Sequence, residues 1–203
     1  FNMYKKLFFF FITLIFSSAI YANTILILGD SLSAGYGINV EDGWVSLLEK
    51  KLNNKAPNNY TIINASISGN TTSMGASRLP KLLKTHKPNI VIIALGGNDG
   101  LQGHPLKLMR TNLSNMIELS QAINANVLLA GIQIPPNYGK RYADEFFASY
   151  DLIAQKYKVA LVPFMLDKIA IHSELMQPDG VHPKAEAQSQ LLDNIWPHLE
   201  KLL

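Results

Sequence analysis

The 203-residue chain contains no cysteine, which excludes disulfides and the lipidated cysteine of a bacterial lipoprotein. It also lacks a His-x-x-x-His pair and any cluster of histidines with carboxylates, so metal chemistry has no ligand set to start from. Gly29 to Gly37 is glycine-rich, as a phosphate-cradling loop would be. It holds neither Gly-x-Gly-x-x-Gly nor the Lys-Ser/Thr of a P-loop, and no cofactor is expected. Basic tracts are missing as well. The formal charge is +3 and the pI is near 9.0, but Lys50-Lys51 and Lys140-Arg141 are isolated pairs that read as solvated surface. Nucleic acid is therefore not an expected partner. No repeat, low-complexity linker or shift in composition marks a second domain.

One long apolar run is present, near the start. Lys5 and Lys6 precede Leu7 to Phe16, and small residues follow at Ser17, Ser18, Ala19 and Ala22. This order of charge, apolar stretch and small residues is that of a secretory signal peptide over residues 1–22. Leu7 to Ala22 spans 16 residues, short of the roughly 20 that a membrane-crossing helix needs. The expectation is a leader cleaved after Ala22, with Ala19 the second choice, no stable membrane span afterwards, and a periplasmic destination. Taking Lys5 and Lys6 from the 18 basic side chains leaves 16 against 15 acidic, a net +1. Residues 23–203 then make one domain long enough to bury a sizeable core. No surplus apolar helix is evident, and a monomer is expected.

Short runs rich in β-branched residues recur at Thr24–Leu28, Tyr60–Ile63, Ile90–Leu95, Val127–Ala130 and Val159–Val162. Between them apolar residues fall at helical spacing. The stripes are Trp44, Leu47, Leu48 and Leu52; Leu79, Leu82 and Leu83; Leu106, Met109, Leu113, Met116 and Ile117; and Phe146, Phe147, Tyr150 and Ile153. A last helix is expected to start at Pro183, to present Leu191, Leu192, Ile195 and Leu199, and to kink near Pro197. Five continuous apolar strands alternating with helices imply a parallel sheet covered on both faces, a three-layer doubly wound α/β fold. Ligands of such sheets bind beyond the carboxyl ends of the strands. Ser31, Gly69 and Asn98 each follow a predicted strand and are expected to share one crevice there.

Those three residues meet two more with matching chemistry. Ser31 lies in Gly29-Asp30-Ser31-Leu32-Ser33, and Asp179-Gly180-Val181-His182 lies near the other end. A hydroxyl, an imidazole and a carboxylate supply nucleophile, base and orienter. Gly69 offers a backbone N–H that can be approached closely, and Asn98 a side-chain amide. Both suit the oxygen that becomes negative in acyl transfer, with the Ser31 N–H as a third donor. Each residue also has a plainer role: a helix N-cap for Ser31, a turn with Gly180 for Asp179, a helix cap for His182, and ordinary turns at Gly69 and Asn98. Ser33 reads as a cap or turn residue. His86, His104, His172 and His198 have no acid three residues upstream and read as surface or packing histidines.

Taken together, these blocks resemble those of the SGNH (GDSL) hydrolases, from the first strand to the last helix. Ser31 stands in Gly-Asp-Ser-Leu-Ser, Gly69 in the second block, Asn98 in Gly-Gly-Asn-Asp, and Asp179 with His182 in Asp-x-x-His. Gly96 to Leu101 and Pro136 to Tyr142 are similar to the periplasmic multifunctional thioesterase/protease/lysophospholipase group of that family. The resemblance implies a flavodoxin-like sheet and a catalytic set of Ser31, Asp179 and His182, with Gly69 and Asn98 at the oxyanion. It also implies hydrolysis of acyl esters, thioesters and lysophospholipid, and an acyl pocket shaped by Leu101, Ile134 and Pro135. Plain loop packing is the competing role for those three. Two other functions stay open: an esterase for acetylated carbohydrate, disfavoured by the apolar loop Ile132–Tyr138, and a non-catalytic ligand-binding α/β domain.

Overall fold

β-Branched residues suit a pleated surface buried on both faces, and the five apolar runs form the five strands of the protein. The structure, a computed structural model, describes residues 22–203; apart from Ala22, the expected leader lies outside them. Strands β1 (Asn23–Gly29), β2 (Tyr60–Asn64), β3 (Ile90–Ala94), β4 (Asn126–Ala130) and β5 (Ala160–Val162) are parallel, in the order β2-β1-β3-β4-β5. Ile25 to Leu28 and Ile90 to Ile93 fill the centre and are buried throughout. The edge strands β2 and β5 are only half-buried along most of their length.

Two helices, α2 (Trp44–Lys55) and α7 (Gln188–Leu199), cover one face of the sheet, packing against each other and against β2, β4 and β5. Three, α3 (Thr72–His86), α5 (Leu106–Ala122) and α6 (Lys140–Tyr157), cover the other. The fold is thus the three-layer α/β architecture that the alternating pattern implies. The predicted stripes face inward with one exception. Phe146 is buried, whereas Phe147 is 36 % exposed, because the next residue on a helix is turned about 100° away.

A second correction concerns the last helix. It begins at Gln188 after a 3-10 turn at Ala185–Ala187, not at Pro183. Pro183 forms an antiparallel bridge with Met176, the Gln177 N–H donates to the His182 carbonyl at 2.7 Å, and the Lys184 N–H to the Leu175 carbonyl at 2.8 Å. These bonds keep residues 182–184 extended and delay the first helical turn.

The strand order changes direction between β1 and β3. That is the switch point where doubly wound sheets open a crevice. Gly29 at the end of β1 is in register with Ala94 at the end of β3, so the two following turns emerge side by side. The segment after β2 is drawn over them. The Ala65 N–H donates to the Ile27 carbonyl at 2.9 Å and the Ile67 N–H to the Gly29 carbonyl at 3.1 Å.

Candidate active site

Ser31 opens the four-residue helix α1 (Ser31–Ala34) directly after β1. The N-cap is Asp30, not Ser31: its Oδ1 accepts the Leu32 N–H at 3.1 Å. The Ser31 hydroxyl is thereby left free to face the crevice. Ser33 is neither cap nor turn. It is the third residue of α1 and is buried.

From the far end of the chain comes the His182 ring, whose Nε2 lies 2.8 Å from Ser31 Oγ. His182 Nδ1 lies 2.7 Å from Asp179 Oδ2. Asp179 Oδ1 also accepts the Val181 and His182 N–H groups at 2.9 and 3.0 Å. Partial burial raises the Asp179 pKa, but the N–H groups of His182 and Val181 and the imidazole outweigh it and hold it down to about 2. An ionised carboxylate only accepts, so the imidazole proton sits on Nδ1 and Nε2 is left to accept from the Ser31 hydroxyl. Asp179 shapes the turn and orients the ring at once, so its two candidate roles are not alternatives. The exposed Tyr36 ring packs beside His182 with centroids 4.5 Å apart.

Asn98 lines the same crevice as Ser31 and His182, and Gly69 lies in the loop after β2 that is tied to the end of β1. Gly69 adopts φ +79°, with no atom near where a Cβ would be. Glycine is needed there for backbone conformation, not for space. Among the described residues, neither the Gly69 nor the Ser31 N–H has a protein acceptor. Asn98 is the second residue of α4 (Gly97–Leu101). Its Nδ2 donates to the Asn70 carbonyl at 3.0 Å and, over a longer 3.4 Å, to Asp30 Oδ2. The turn before α4 needs glycine for a steric reason: at Gly96, with φ +120°, a Cβ would lie 2.2 Å from the Tyr150 hydroxyl oxygen. Asp99, buried, accepts the Thr72 N–H at 2.8 Å and the Thr72 hydroxyl at 2.6 Å, tying α4 to the start of α3.

Asp30 lies behind this arrangement, 4 % exposed. Burial pushes its carboxyl up to about 6, against the Leu32 N–H and the His182 ring, which pull it down. Asp30, Asn70 and the Asp99–Thr72 pair went unread in the sequence. Asp30 carried a usable signal, an acidic residue between a strand and a helix start; Asn70 and Asp99–Thr72 depend on contacts between distant elements.

A cavity of about 360 Å³ opens beside Ser31, Asn98 and His182, and Leu101, Ile134 and Pro135 all line it. Its far wall was not foreseen. Phe164, Leu166, Ile171 and Met176 come from the irregular segment after β5, where apolar residues show no period. Ile171 is 81 % exposed at the rim. Among the described residues no group of three histidine or acidic side chains is placed to hold a metal ion, and none of their helices is long and apolar enough to cross a membrane.

A hydroxyl, imidazole and carboxylate hydrogen-bonded in series, with the unpaired N–H of Ser31 itself beside the hydroxyl, is the constellation of a serine hydrolase. Comparison with known proteins narrows the class. The chain belongs to the GDSL-like lipase/acylhydrolase family, whose pattern matches residues 27–189. It is 47 % identical over 182 residues to esterase TesA of Pseudomonas aeruginosa, covering 90 % of each chain. It is 40 % identical over 195 residues to thioesterase 1/protease 1/lysophospholipase L1 of Escherichia coli K12, covering 96 % of this chain and 92 % of the relative. The crystal structure of the psychrotrophic esterase EstA from Pseudoalteromonas sp., inhibited by monoethylphosphonate, superposes with a TM-score of 0.84 at 45 % identity, covering 88 % of this chain and 97 % of that one. The protein is a GDSL-family ester hydrolase, and the non-catalytic binding domain gives way to an enzyme.

Proposed function

We propose that the protein is an exported serine esterase that cleaves acyl esters and thioesters, lysophospholipid among them, through an acyl-enzyme on Ser31. Ser31 Oγ attacks the acyl carbonyl carbon as its proton passes to His182 Nε2. Asp179 holds the ring and stabilises the imidazolium. The carbonyl oxygen, now negative, accepts hydrogen bonds from the Gly69 N–H, the Ser31 N–H and Asn98 Nδ2, whose long 3.4 Å contact to Asp30 gives way to it while its bond to the Asn70 carbonyl is kept. As the tetrahedral carbon collapses, His182 gives its proton to the departing alcohol oxygen or thiol sulfur, leaving the acyl group on Ser31. A water molecule then gives a proton to His182 and attacks the acyl carbon. Collapse of that second intermediate returns the proton to Ser31 Oγ and releases the fatty acid.

The observation that carries this reading is the apolar cavity at the Ser31 hydroxyl, walled by Leu101, Ile134, Pro135, Phe164 and Ile171. Apolar walls favour an acyl chain, each buried methylene adding up to about 0.8 kcal/mol. A site for acetylated sugar would instead present polar and aromatic side chains. The names of the relatives, esterase and thioesterase/lysophospholipase, support the same substrate class. The test is a hydrolysis panel of p-nitrophenyl acyl esters, acyl thioesters, lysophospholipid and acetylated sugars. Preference for acetylated sugar would replace the lipid reading.

Residues 1–22 are read as a leader to the periplasm, and 23–203 as one hydrolase domain acting as a monomer. Protein recovered from the periplasm should begin at Asn23 or, second, at Ile20. Intact residues 4–16 on membrane-bound protein would instead mean an anchor.

A further inference from the structure

We propose that Arg78 is the positioning residue of the oxyanion site, holding the Gly69 loop and the Asn98 amide in place through one guanidinium. This rests on the reading of Gly69 and Asn98 as oxyanion donors.

Arg78 lies on α3, and its half-buried side chain runs back toward the start of that helix, the direction long helical side chains favour. Nη1 donates to Asn70 Oδ1 and Nη2 to the Ala65 carbonyl, both at 2.6 Å. One rigid planar group therefore spans the loop from Ala65 to Asn70, within which Gly69 sits. The first half of that loop is held by its hydrogen bonds to β1. Within its second half the backbone makes one turn bond, from the Asn70 N–H to the Ile67 carbonyl at 3.1 Å, and no bond to the sheet. Gly69 has no side chain to anchor it and no neighbour near its Cβ position. The guanidinium supplies what that half lacks.

The same group reaches Asn98 through one residue. Asn70, buried, takes the guanidinium on its side-chain oxygen and the Asn98 amide on its backbone carbonyl. Displacing Asn70 would move both donors. Charge adds to position. Among the described residues no carboxylate lies within ion-pair distance of Arg78; its partners are an amide oxygen and a carbonyl. Its positive charge is not cancelled locally and favours negative charge developing on the far side of Asn70. Lysine keeps the charge but cannot bridge two acceptors with a planar fork.

The experiment compares wild type, Arg78→Ala, Arg78→Lys and Asn98→Ala on p-nitrophenyl butyrate, with and without millimolar guanidinium. Arg78→Ala should lose roughly 10- to 100-fold in kcat, with KM within about threefold, since oxyanion donors act mainly on the transition state. Guanidinium should restore part of that loss in Arg78→Ala and none in Asn98→Ala, while Arg78→Lys stays slow. A wild-type kcat in folded Arg78→Ala, with Asn98→Ala slow, overturns the Arg78 role alone. A wild-type kcat in Asn98→Ala faults the oxyanion reading itself. A slow Arg78→Ala with lowered Tm and no response to guanidinium also overturns the proposal, because it makes Arg78 a general support of the fold. Should the alanine variant not fold, Arg78→Gln takes its place, and a wild-type kcat there overturns the role equally.

Discussion

The two halves of the site are built by different means. Ser31, Gly69 and Asn98 follow the ends of β1, β2 and β3 and are fixed by a buried polar frame of Asp30, Asn70, Thr72 and Asp99. Asp179 and His182 lie on an irregular segment between β5 and α7, held by turn hydrogen bonds and the bridge from Met176 to Pro183. Asp179 remains 41 % exposed and His182 17 %. Gln177 joins the halves, its Nε2 donating to the Tyr36 carbonyl at 2.8 Å and the Pro183 carbonyl at 3.1 Å. Sheet packing makes one half exact in position, while local geometry makes the other, because a carboxylate three residues before a histidine can orient the ring without help from the core.

The largest effect should come from cutting the link between the halves. Ser31→Ala and His182→Ala should each lower kcat by roughly 10⁵- to 10⁶-fold, and the double variant little further, since such groups act as a unit. Esterase activity near wild type in purified Ser31→Ala would end the assignment. Within the rigid half, Asn98→Ala should cut kcat by roughly 10²- to 10³-fold and move KM far less. A KM rise at constant kcat would make Asn98 a ground-state binding group.

Asp30 tests how dry the frame is. Burial raises its carboxyl from 3.8 to about 6. The sign follows from linkage: stability tied to the neutral form is complete below about pH 4 and is lost as pH rises through 6. Asp30→Asn escapes that loss. Its stability relative to wild type should climb between pH 4 and 7 by up to about 3 kcal/mol, read from Tm across that range. A gap independent of pH would mean that Asp30 is well solvated. The smallest effect is expected where the pocket wall is a loop. Pro135→Gly should lower kcat/KM for long acyl esters by a few-fold, about the 0.8 kcal/mol of one buried methylene, and leave acetyl esters unchanged. An equal loss at every chain length would assign the loop to positioning the triad.

Much of this protein was legible before folding. All five strands and the parallel three-layer plan follow from short β-branched runs alternating with amphipathic stripes: the central strands are apolar because both faces are buried, and the half-buried edge strands still keep short apolar runs. Ser31, Asp179 and His182 could be picked out by residue type, and the fold brings the three within hydrogen-bond distance, while Gly69 and Asn98 follow strand ends and their oxyanion role is the one proposed above. The start of α7 was misread because the bridge at Pro183 is a contact across the chain, which helical spacing does not record. The far cavity wall at Phe164 and Ile171 was missed because an irregular segment has no period to detect.

Periodicity and local spacing therefore determined the sheet, its helices and the Asp179–His182 pair, all interactions within a few residues or set by burial alone. Only tertiary structure decided that burial would push the Asp30 carboxyl up. The same holds for Arg78, which reaches Ala65 and Asn70 from a neighbouring helix, and for the cavity that closes between loops more than sixty residues apart from Leu101 to Ile171. Desolvation and hydrogen-bond geometry depend on what surrounds a group in space, and neighbours brought together by sheet topology leave no mark in the order of the chain.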